Sequence, residues 1–182
     1  MVLAGCGSSD REPPRKPDDA PPAPADLAIL HFALTLEYFT ADFYERLVAE
    51  RALERSDQDI VKGLRDDEDE HIDALETLVK DLGGRAPPRP LPDFGKLLSG
   101  RPQAVLARAA ELEDVGAAAY LGQVPRVQDK EVLGVLLSIH SVEGRHAAGL
   151  NHRLGRSFVP DGALARPLNA DAVRARLEGF SL

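Results

Sequence analysis

Residues 68–71 read Glu-Asp-Glu-His and residues 143–146 read Glu-Gly-Arg-His, so each half of the chain has a glutamate followed three positions later by a histidine. Residues three apart lie on one face of an α-helix, so each pair can present an oxygen and a nitrogen to the same point. A lone glutamate precedes each pair, Glu37 by 31 residues and Glu113 by 30. That distance accommodates one helix, a turn and a returning helix. The spacing therefore predicts two helical hairpins with their acids and histidines at matching heights.

Apolar residues at helical spacing surround these four acids and two histidines. Around Glu68 and His71, for example, they are Val61, Leu64, Ile72, Leu75 and Val79. Stripes of this kind face the core of a helical protein. Ionised carboxylates without partners are costly to bury, and four close together repel one another. Two divalent cations would balance four carboxylates, and protonation of the acids is the rival solution. The pattern therefore predicts a two-metal site inside a four-helix bundle.

Composition narrows the classes of protein that this chain can belong to. With 182 residues and 43% hydrophobic content, the chain can bury one core of good size. A formal charge of −8 argues against a nucleic-acid partner, because phosphate contacts need clustered basic residues. The single cysteine excludes a disulfide or a four-cysteine metal centre within one chain. We therefore predict one domain that carries an oxygen- and nitrogen-based site.

Helix signals along the chain predict an all-α fold, an antiparallel four-helix bundle with a long crossover between helices 2 and 3 and a short C-terminal helix. Residues 1–25 are predicted to be a disordered tether, 26–155 the bundle, and 156–182 a strap with the short helix. No segment alternates between apolar and polar residues, so we expect no sheet. The predicted helices run from Asp26 as N-cap to about Leu53, from Ser56 or Asp57 to before Gly83, from Pro102 to Leu121, from after Val127 to about Leu154, and from an Asn169 cap to Glu178.

The only cysteine lies within Leu3-Ala4-Gly5-Cys6, which resembles a bacterial lipobox. In a lipobox the cysteine becomes the lipidated first residue of the mature protein. The usual basic and hydrophobic segments do not precede it here, since only two residues lie upstream. We expect a lipid-anchored protein of the cell envelope, with membrane contact only through Cys6. If Met1 is the true start, the expectation is a cytoplasmic protein.

The acid and histidine pattern resembles the ferritin-like superfamily of di-iron and di-manganese carboxylate proteins. Within it, the chain is most similar to bacterial ferritin-like domain proteins grouped with desiccation-related proteins. The stretches Ala33-Leu34-Thr35-Leu36-Glu37-Tyr38 and Ala119-Tyr120-Leu121-Gly122 share this likeness, which covers roughly residues 27–155.

The resemblance implies a role for each residue of the pattern. Lone glutamates in this superfamily are usually terminal ligands, one per metal, and the glutamates of the Glu-x-x-His pairs bridge both ions. The implied metal ligands are thus Glu37 and Glu113 as terminal, Glu68 and Glu143 as bridging, and His71 and His146 as nitrogen ligands.

Three further residues share faces with these ligands. Tyr44 and Tyr120 each follow a lone glutamate by seven positions, so their hydroxyls can hydrogen-bond ligand carboxylates. His140 precedes Glu143 by three positions on the same face. A single histidine on an apolar stripe is more often a satisfied core group than a ligand, and both readings stay open for His140.

The resemblance implies a centre of two iron ions that reacts with dioxygen or hydrogen peroxide, as a ferroxidase or a peroxide scavenger under oxidative or metal stress. One alternative is a manganese catalase-like enzyme with two manganese ions, because the same ligands suit both metals. Another is a non-enzymatic metal-binding envelope protein of the stress or desiccation type. The expected partners are metal ions and O2 or H2O2, without nucleic acid, in a monomer or homodimer.

Overall fold

Six α-helices form the part of the chain that the computed structural model describes, residues 24–180. No β-strand occurs among these residues, so the predicted all-α class is confirmed. The helices are α1 (Pro24–Glu50), α2 (Arg55–Asp81), α3 (Gly95–Leu98), α4 (Pro102–Gln123), α5 (Lys130–Arg153) and α6 (Ala170–Glu178).

Two helical hairpins make up the bundle. Helix α1 packs along α2, and α4 packs along α5, while α1 also touches α4 and α2 touches α5. A loop of four residues, 51–54, joins the first pair, and a 3-10 turn at Val124–Arg126 lies in the second connection. Such short connections make neighbouring helices antiparallel. At 1.5 Å per residue, α1 is about 40 Å long.

The crossover between α2 and α4, residues 82–101, is fixed to α1 by an aromatic and a basic side chain. Phe94 lies edge-on against Phe39 and Phe43, with ring centroids 5.1 and 5.4 Å away. Arg89 donates a hydrogen bond from Nε to Asp42 at 3.0 Å, and its guanidinium lies 4.9 Å from the ring centre of Tyr38. The predicted long crossover is therefore packed along its path.

Asp26 has a different role from the predicted N-cap. Helix α1 begins two residues earlier, at Pro24, and the Asp26 side chain points across the bundle. Its carboxylate is fully buried and accepts hydrogen bonds from the backbone N–H groups of Gln128 (3.0 Å) and Asp129 (2.8 Å). Burial of a carboxylate is tolerated when backbone donors satisfy it. Asp26 thereby ties the start of α1 to the start of α5.

Pro102 begins α4 and Glu178 ends α6 as predicted, whereas the ends beside the first loop differ from the prediction by one to three residues. Helix α1 ends at Glu50, before the predicted Leu53, and α2 begins at Arg55. Asp57, one of the two predicted first residues of α2, accepts a hydrogen bond from Nε of Arg153 at 2.6 Å. It joins α2 to the end of α5.

The C-terminal segment lies against α4. The side-chain oxygen of Asn169 accepts a hydrogen bond from the Ala172 N–H at 2.9 Å, so Asn169 caps α6 as predicted. Just before it, the Leu168 N–H donates to the Ala118 carbonyl at 2.9 Å. Phe180 is buried, and its ring centre lies 6.4 Å from that of Phe39. The tail is therefore anchored at both ends of α6.

Gly122 makes this anchoring possible, and its replacement by alanine should release the tail. A Cβ at Gly122 would lie 1.9 Å from the carbonyl oxygen of Leu168, a backbone atom that cannot move alone. We expect Gly122→Ala to destabilise the protein by about 1–3 kcal/mol, the range for overpacking. Gly134→Ala, in α5 with no atom near its new Cβ, should stabilise it by about 0.5–1 kcal/mol. Urea unfolding and limited proteolysis of residues 156–169 would measure both effects, and equal behaviour of the two variants would contradict the packing.

Some predictions fall outside the described residues. The lipobox-like Cys6 and most of the predicted tether lie in residues 1–23, of which the structure gives no description. Within residues 24–180, no helix combines the length and the apolar character that a bilayer crossing requires.

Candidate metal centre

All four helices of the bundle contribute to one buried polar cluster at mid-height. Along each helix the cluster lies between two apolar groups, one containing Phe43 and Leu64 and the other Leu30 and Ile72. The carboxylates are at most 2% exposed, and both histidines are below 10%. The cluster consists of Glu37 from α1, Glu68 and His71 from α2, Glu113 from α4, and Glu143 and His146 from α5.

Two overlapping groups of four residues exist within this cluster, each with its ligand atoms inside 4.8 Å of one another. Both groups contain Glu68 and Glu143, which stand on different hairpins. The first group adds Glu37 and His71, and the second adds Glu113 and His146. The structure therefore brings together all six residues that the sequence singled out.

Both histidines direct Nδ1 towards the carboxylates. Nδ1 of His71 lies 3.1 Å from Glu143, 3.4 Å from Glu68 and 3.6 Å from Glu37. Nδ1 of His146 lies 3.4 Å from Glu113 and 3.6 Å from Glu68. The two rings stand 6.2 Å apart, centre to centre, at 27°. Each imidazole thus faces its own group of acids.

The inner atoms of this cluster have no hydrogen-bond partners. Buried polar atoms are nearly always hydrogen-bonded, so each exception needs an explanation. Carboxylate oxygens and imidazole nitrogens that converge without donors between them are the ligands that a hard or borderline divalent cation prefers. The residues therefore fit a metal centre. The unpartnered atoms are both oxygens of Glu68, Nδ1 of His71, Oε2 of Glu113, Oε1 of Glu143 and Nδ1 of His146.

Two buried tyrosines hold the lone glutamates from across the bundle. Tyr44 of α1 donates its hydroxyl hydrogen to Oε1 of Glu113 on α4, and Tyr120 of α4 donates to Oε1 of Glu37 on α1. Burial raises the pKa of both hydroxyls well above the usual value, and the charge of the facing carboxylates adds to this. The tyrosines therefore remain protonated donors. Each leaves the second oxygen of its glutamate free to face the centre.

Burial and mutual contacts raise the pKa values of four groups in this cluster. Burial raises the pKa of Glu68 and of Glu143 well above normal, and the other acids raise both further. Burial acts to lower the pKa of His71, but its close contacts with Glu143 and Glu37 outweigh burial and raise that pKa to about 12. The pKa of His146 is also raised, against the effect of burial, by its contact with Glu113. The cluster thus raises the pKa values of two acids and both histidines, so these groups hold their protons to higher pH than usual.

The pKa of Glu37 is shifted in the opposite direction. Burial acts to raise it, but the close contact with His71 and the charge of that histidine, together with the Tyr120 hydroxyl, lower it below the usual value. The pKa of Glu37 thus moves in the opposite direction to the pKa values of Glu68 and Glu143, although all three carboxylates are buried. Environments this different within one cluster are characteristic of functional sites.

Gly116 gives Glu143 the space that it needs, and we expect Gly116→Ala to weaken metal binding. An added Cβ would lie 2.6 Å from Oε2 of Glu143, so the carboxylate must move. The loss in metal affinity should be about 10- to 100-fold, the range for residues that orient ligands. Because a side-chain end moves more easily than backbone, the metal-free protein should fold normally. Gly144→Ala, next to Glu143 with no atom near its Cβ, is the matched control. Equal metal affinity of the two variants would contradict this account.

One open pocket reaches the cluster, between α2 and α5. It has a volume of about 610 Å³, and His71 and His146 line it together with Asp67, Ser138 and Val142. A larger pocket of about 1160 Å³ lies at the end of the bundle beside Arg101 and Arg156, but none of the six cluster residues lines it. The smaller pocket is therefore the candidate route to the cluster, because two of the six cluster residues line it.

His140 does not join the cluster. Its Nδ1 lies 2.9 Å from the carbonyl oxygen of Ala117 on α4, so it links the two helices of the second hairpin. Asp67, by contrast, had no special signal within an acidic run, yet its Oδ2 lies 3.0 Å from Nε2 of His146. Spacing along one helix cannot reveal a contact made between two helices.

Comparisons with known proteins relate the chain to a recognised fold. A family model described as a ferritin-like domain matches residues 25–156. The crystal structure of a conserved hypothetical protein, rv2844, from Mycobacterium tuberculosis is similar, with a TM-score of 0.64. The match covers 71% of this chain and 96% of that one at 18% identity, which shows a common fold. Among curated proteins, none matches the chain.

Proposed function

We propose, since the chain belongs to the ferritin-like domain family, that its buried cluster binds two metal ions and reacts with dioxygen or hydrogen peroxide. The observation that carries this proposal is the set of inward-facing oxygen and nitrogen atoms without hydrogen-bond partners. A protein that used these residues only for packing would gain nothing from orienting them towards one another.

The two overlapping groups support a separate role for each residue. Glu68 and Glu143 belong to both groups and would contact both ions. Glu37 with His71 would complete one position, and Glu113 with His146 the other. Two divalent ions would bring four positive charges to four carboxylates, and the neutral imidazoles would add none. Loading would therefore leave the core without net charge, which is what burial requires.

We propose iron as the metal, with manganese as the alternative. Carboxylate and imidazole ligands suit both, so the donor set does not separate them. When bound, two ferrous ions would each supply one electron, so that one peroxide molecule and two protons would yield two water molecules. Such a reaction would serve as ferroxidase activity or as peroxide scavenging.

The residues of the chain would prepare the site for this chemistry. The tyrosine hydroxyls of Tyr44 and Tyr120 hold the lone glutamates in place, and apolar layers above and below exclude water. The pocket between α2 and α5, with a volume of about 610 Å³, would let dioxygen or a peroxide reach the two histidines.

Metal affinity should rise with pH. The ligands must lose their protons to bind a cation, and the raised pKa values of Glu68, Glu143 and His71 make that loss easier as pH rises. Loading should therefore release protons, and the apparent affinity should increase from about pH 6 to about pH 8. A titration with Mn²⁺ in weakly buffered solution with a pH indicator would measure both. A pH-independent affinity without proton release would contradict the proposed ligands.

Elemental analysis of the protein purified without chelator tests the function directly, together with its visible spectrum before and after peroxide. We expect two metal ions per chain and a spectral change that requires them. Protein that contains no metal and takes up none would refute the proposal. Bound metal without any reaction towards peroxide or dioxygen would refute the redox activity and leave a metal-binding protein.

A further inference from the structure

The cluster has an approximate two-fold symmetry, because each residue of the first hairpin has a counterpart in the second. The counterparts occupy equivalent positions in the Glu-x-x-His pattern, and even the tyrosine contacts are reciprocal. Symmetry of this kind predicts two equivalent metal positions. The matching pairs are Glu37 and Glu113, Glu68 and Glu143, His71 and His146, and Tyr44 and Tyr120.

This symmetry is broken at the residue before each shared glutamate. On α2 that residue is Asp67, whose Oδ2 lies 3.0 Å from Nε2 of His146. On α5 it is Val142, which lines the same pocket but cannot accept a hydrogen bond. Among residues 24–180, Nε2 of His71 has no hydrogen-bond partner. Only one of the two imidazoles is therefore held from its outer side.

The contact with Asp67 would prepare His146 for a metal ion. A carboxylate only accepts hydrogen bonds, so Nε2 of His146 carries the hydrogen, and Nδ1 is the atom that faces the centre. The acidic partner fixes the ring orientation and makes the imidazole a stronger donor. Losing such an outer partner typically weakens metal binding by about 10- to 100-fold. Asp67 is about half exposed, so we expect an effect near the lower end of that range.

We propose that Asp67 is a positioning residue that makes the two metal positions unequal, so that the ion at Glu113 and His146 binds first and more tightly. This inference rests on the proposed two-metal site and adds an order of loading to it. The ion at Glu37 and His71 would then be the one that enters and leaves more readily. Two binding steps alone would not demonstrate this, because the first cation repels the second even at equivalent positions.

The test replaces Asp67 and Val142, each in a separate variant, by the residue at the other position. Binding of Mn²⁺ to the full chain is followed by the electron paramagnetic resonance signal of the free ion. Asp67→Val, which copies the counterpart, should weaken the first step roughly 10-fold. Asp67→Asn keeps an oxygen that can accept from Nε2 and should recover part of the loss. Asp69→Asn removes the same charge from an exposed position and should change neither step. Val142→Asp should strengthen the second step roughly 10-fold.

Two alanine substitutions, one at each histidine, show which metal position is filled in which binding step. In His71→Ala the remaining ion should bind with the first-step affinity of the unmodified chain, whereas in His146→Ala it should bind roughly 10-fold more weakly than that, because its histidine has no outer carboxylate. The opposite order, or an Asp67→Val variant that behaves like Asp69→Asn, would overturn the inference while leaving two-metal binding intact. Absence of any Mn²⁺ binding to the unmodified chain would instead overturn the proposed function. Helix content from circular dichroism shows that each variant folds, and Asp67→Asn, close in shape to aspartate, serves if Asp67→Val does not.

Discussion

Replacing Glu68 by alanine should remove both metal ions, because this carboxylate belongs to both ligand groups. A carboxylate next to a cation contributes about 4 kcal/mol per unit charge at an effective dielectric of 20. Losing that interaction at both positions should lower each binding constant by at least roughly 1000-fold. Metal content measured on the purified variant should fall from two ions per chain to none, and any peroxide or ferroxidase rate should fall with it.

The matched control for this experiment is Glu70→Ala. Glu70 is the next glutamate along α2, is exposed, and lies outside both ligand groups. Its variant should keep both ions. Glu68→Gln separates loss of charge from loss of volume, since the amide has the same shape as the carboxylate. If Glu68→Ala and Glu70→Ala contain equal amounts of metal, the two-metal centre as described here is wrong.

Removal of the metal should destabilise the protein strongly. A ligand at 100 times its dissociation constant stabilises the folded state by about 2.7 kcal/mol, so two ions would contribute about 5 kcal/mol. For a domain of this size, each kcal/mol shifts the melting temperature by about 2–4 °C. We therefore expect the melting temperature to fall by about 10–20 °C when a chelator removes the metal, and to recover when metal is restored.

Calorimetry of the loaded and the chelated protein measures this difference. Glu68→Gln supplies the control, because a chain that binds no metal should melt at the same temperature with and without chelator. With rising pH, the metal-free Glu68→Gln variant should also lose less stability than the metal-free unmodified chain does. The raised pKa of Glu68 means that the folded state retains a proton which the unfolded state releases, so stability falls as pH rises above the unfolded pKa. Identical melting of the unmodified protein in excess metal and in chelator would contradict the prediction.

The helices and the cluster could be predicted from the sequence because both depend on periodicity within one helix. Glu68 and His71 share a face whatever they pack against, and the apolar stripe around them fixes which face is buried. Both ends of α1, Pro24 and Glu50, differ from the predicted ends at Asp26 and Leu53. Helix ends are hard to predict because they depend on contacts with other parts of the chain. The long crossover was predictable from its prolines, but its attachment to α1 through Phe94 was not.

Contacts between helices could not be predicted from the periodicity of the sequence. Tyr44 shares a face with Glu37, yet it donates to Glu113 on the opposite hairpin, because the side chain crosses the centre. Asp26 accepts hydrogen bonds from backbone N–H groups at the start of α5, some 100 residues away in sequence, instead of capping its own helix. Each of these contacts depends on how far apart the helix axes lie and on their rotation, which one helix considered alone does not determine.

The shared glutamates stand on different hairpins, and this constrains how such a chain can change over evolutionary time. An insertion of one residue between Glu68 and His71 would rotate the rest of α2 by about 100° and carry His71 away from the cluster. The segment at 82–101 is free of that restriction, because extra residues there leave the rotation of all four long helices unaltered. Divergence in length among related chains should therefore accumulate in this segment, while the interval between each glutamate and its histidine stays fixed.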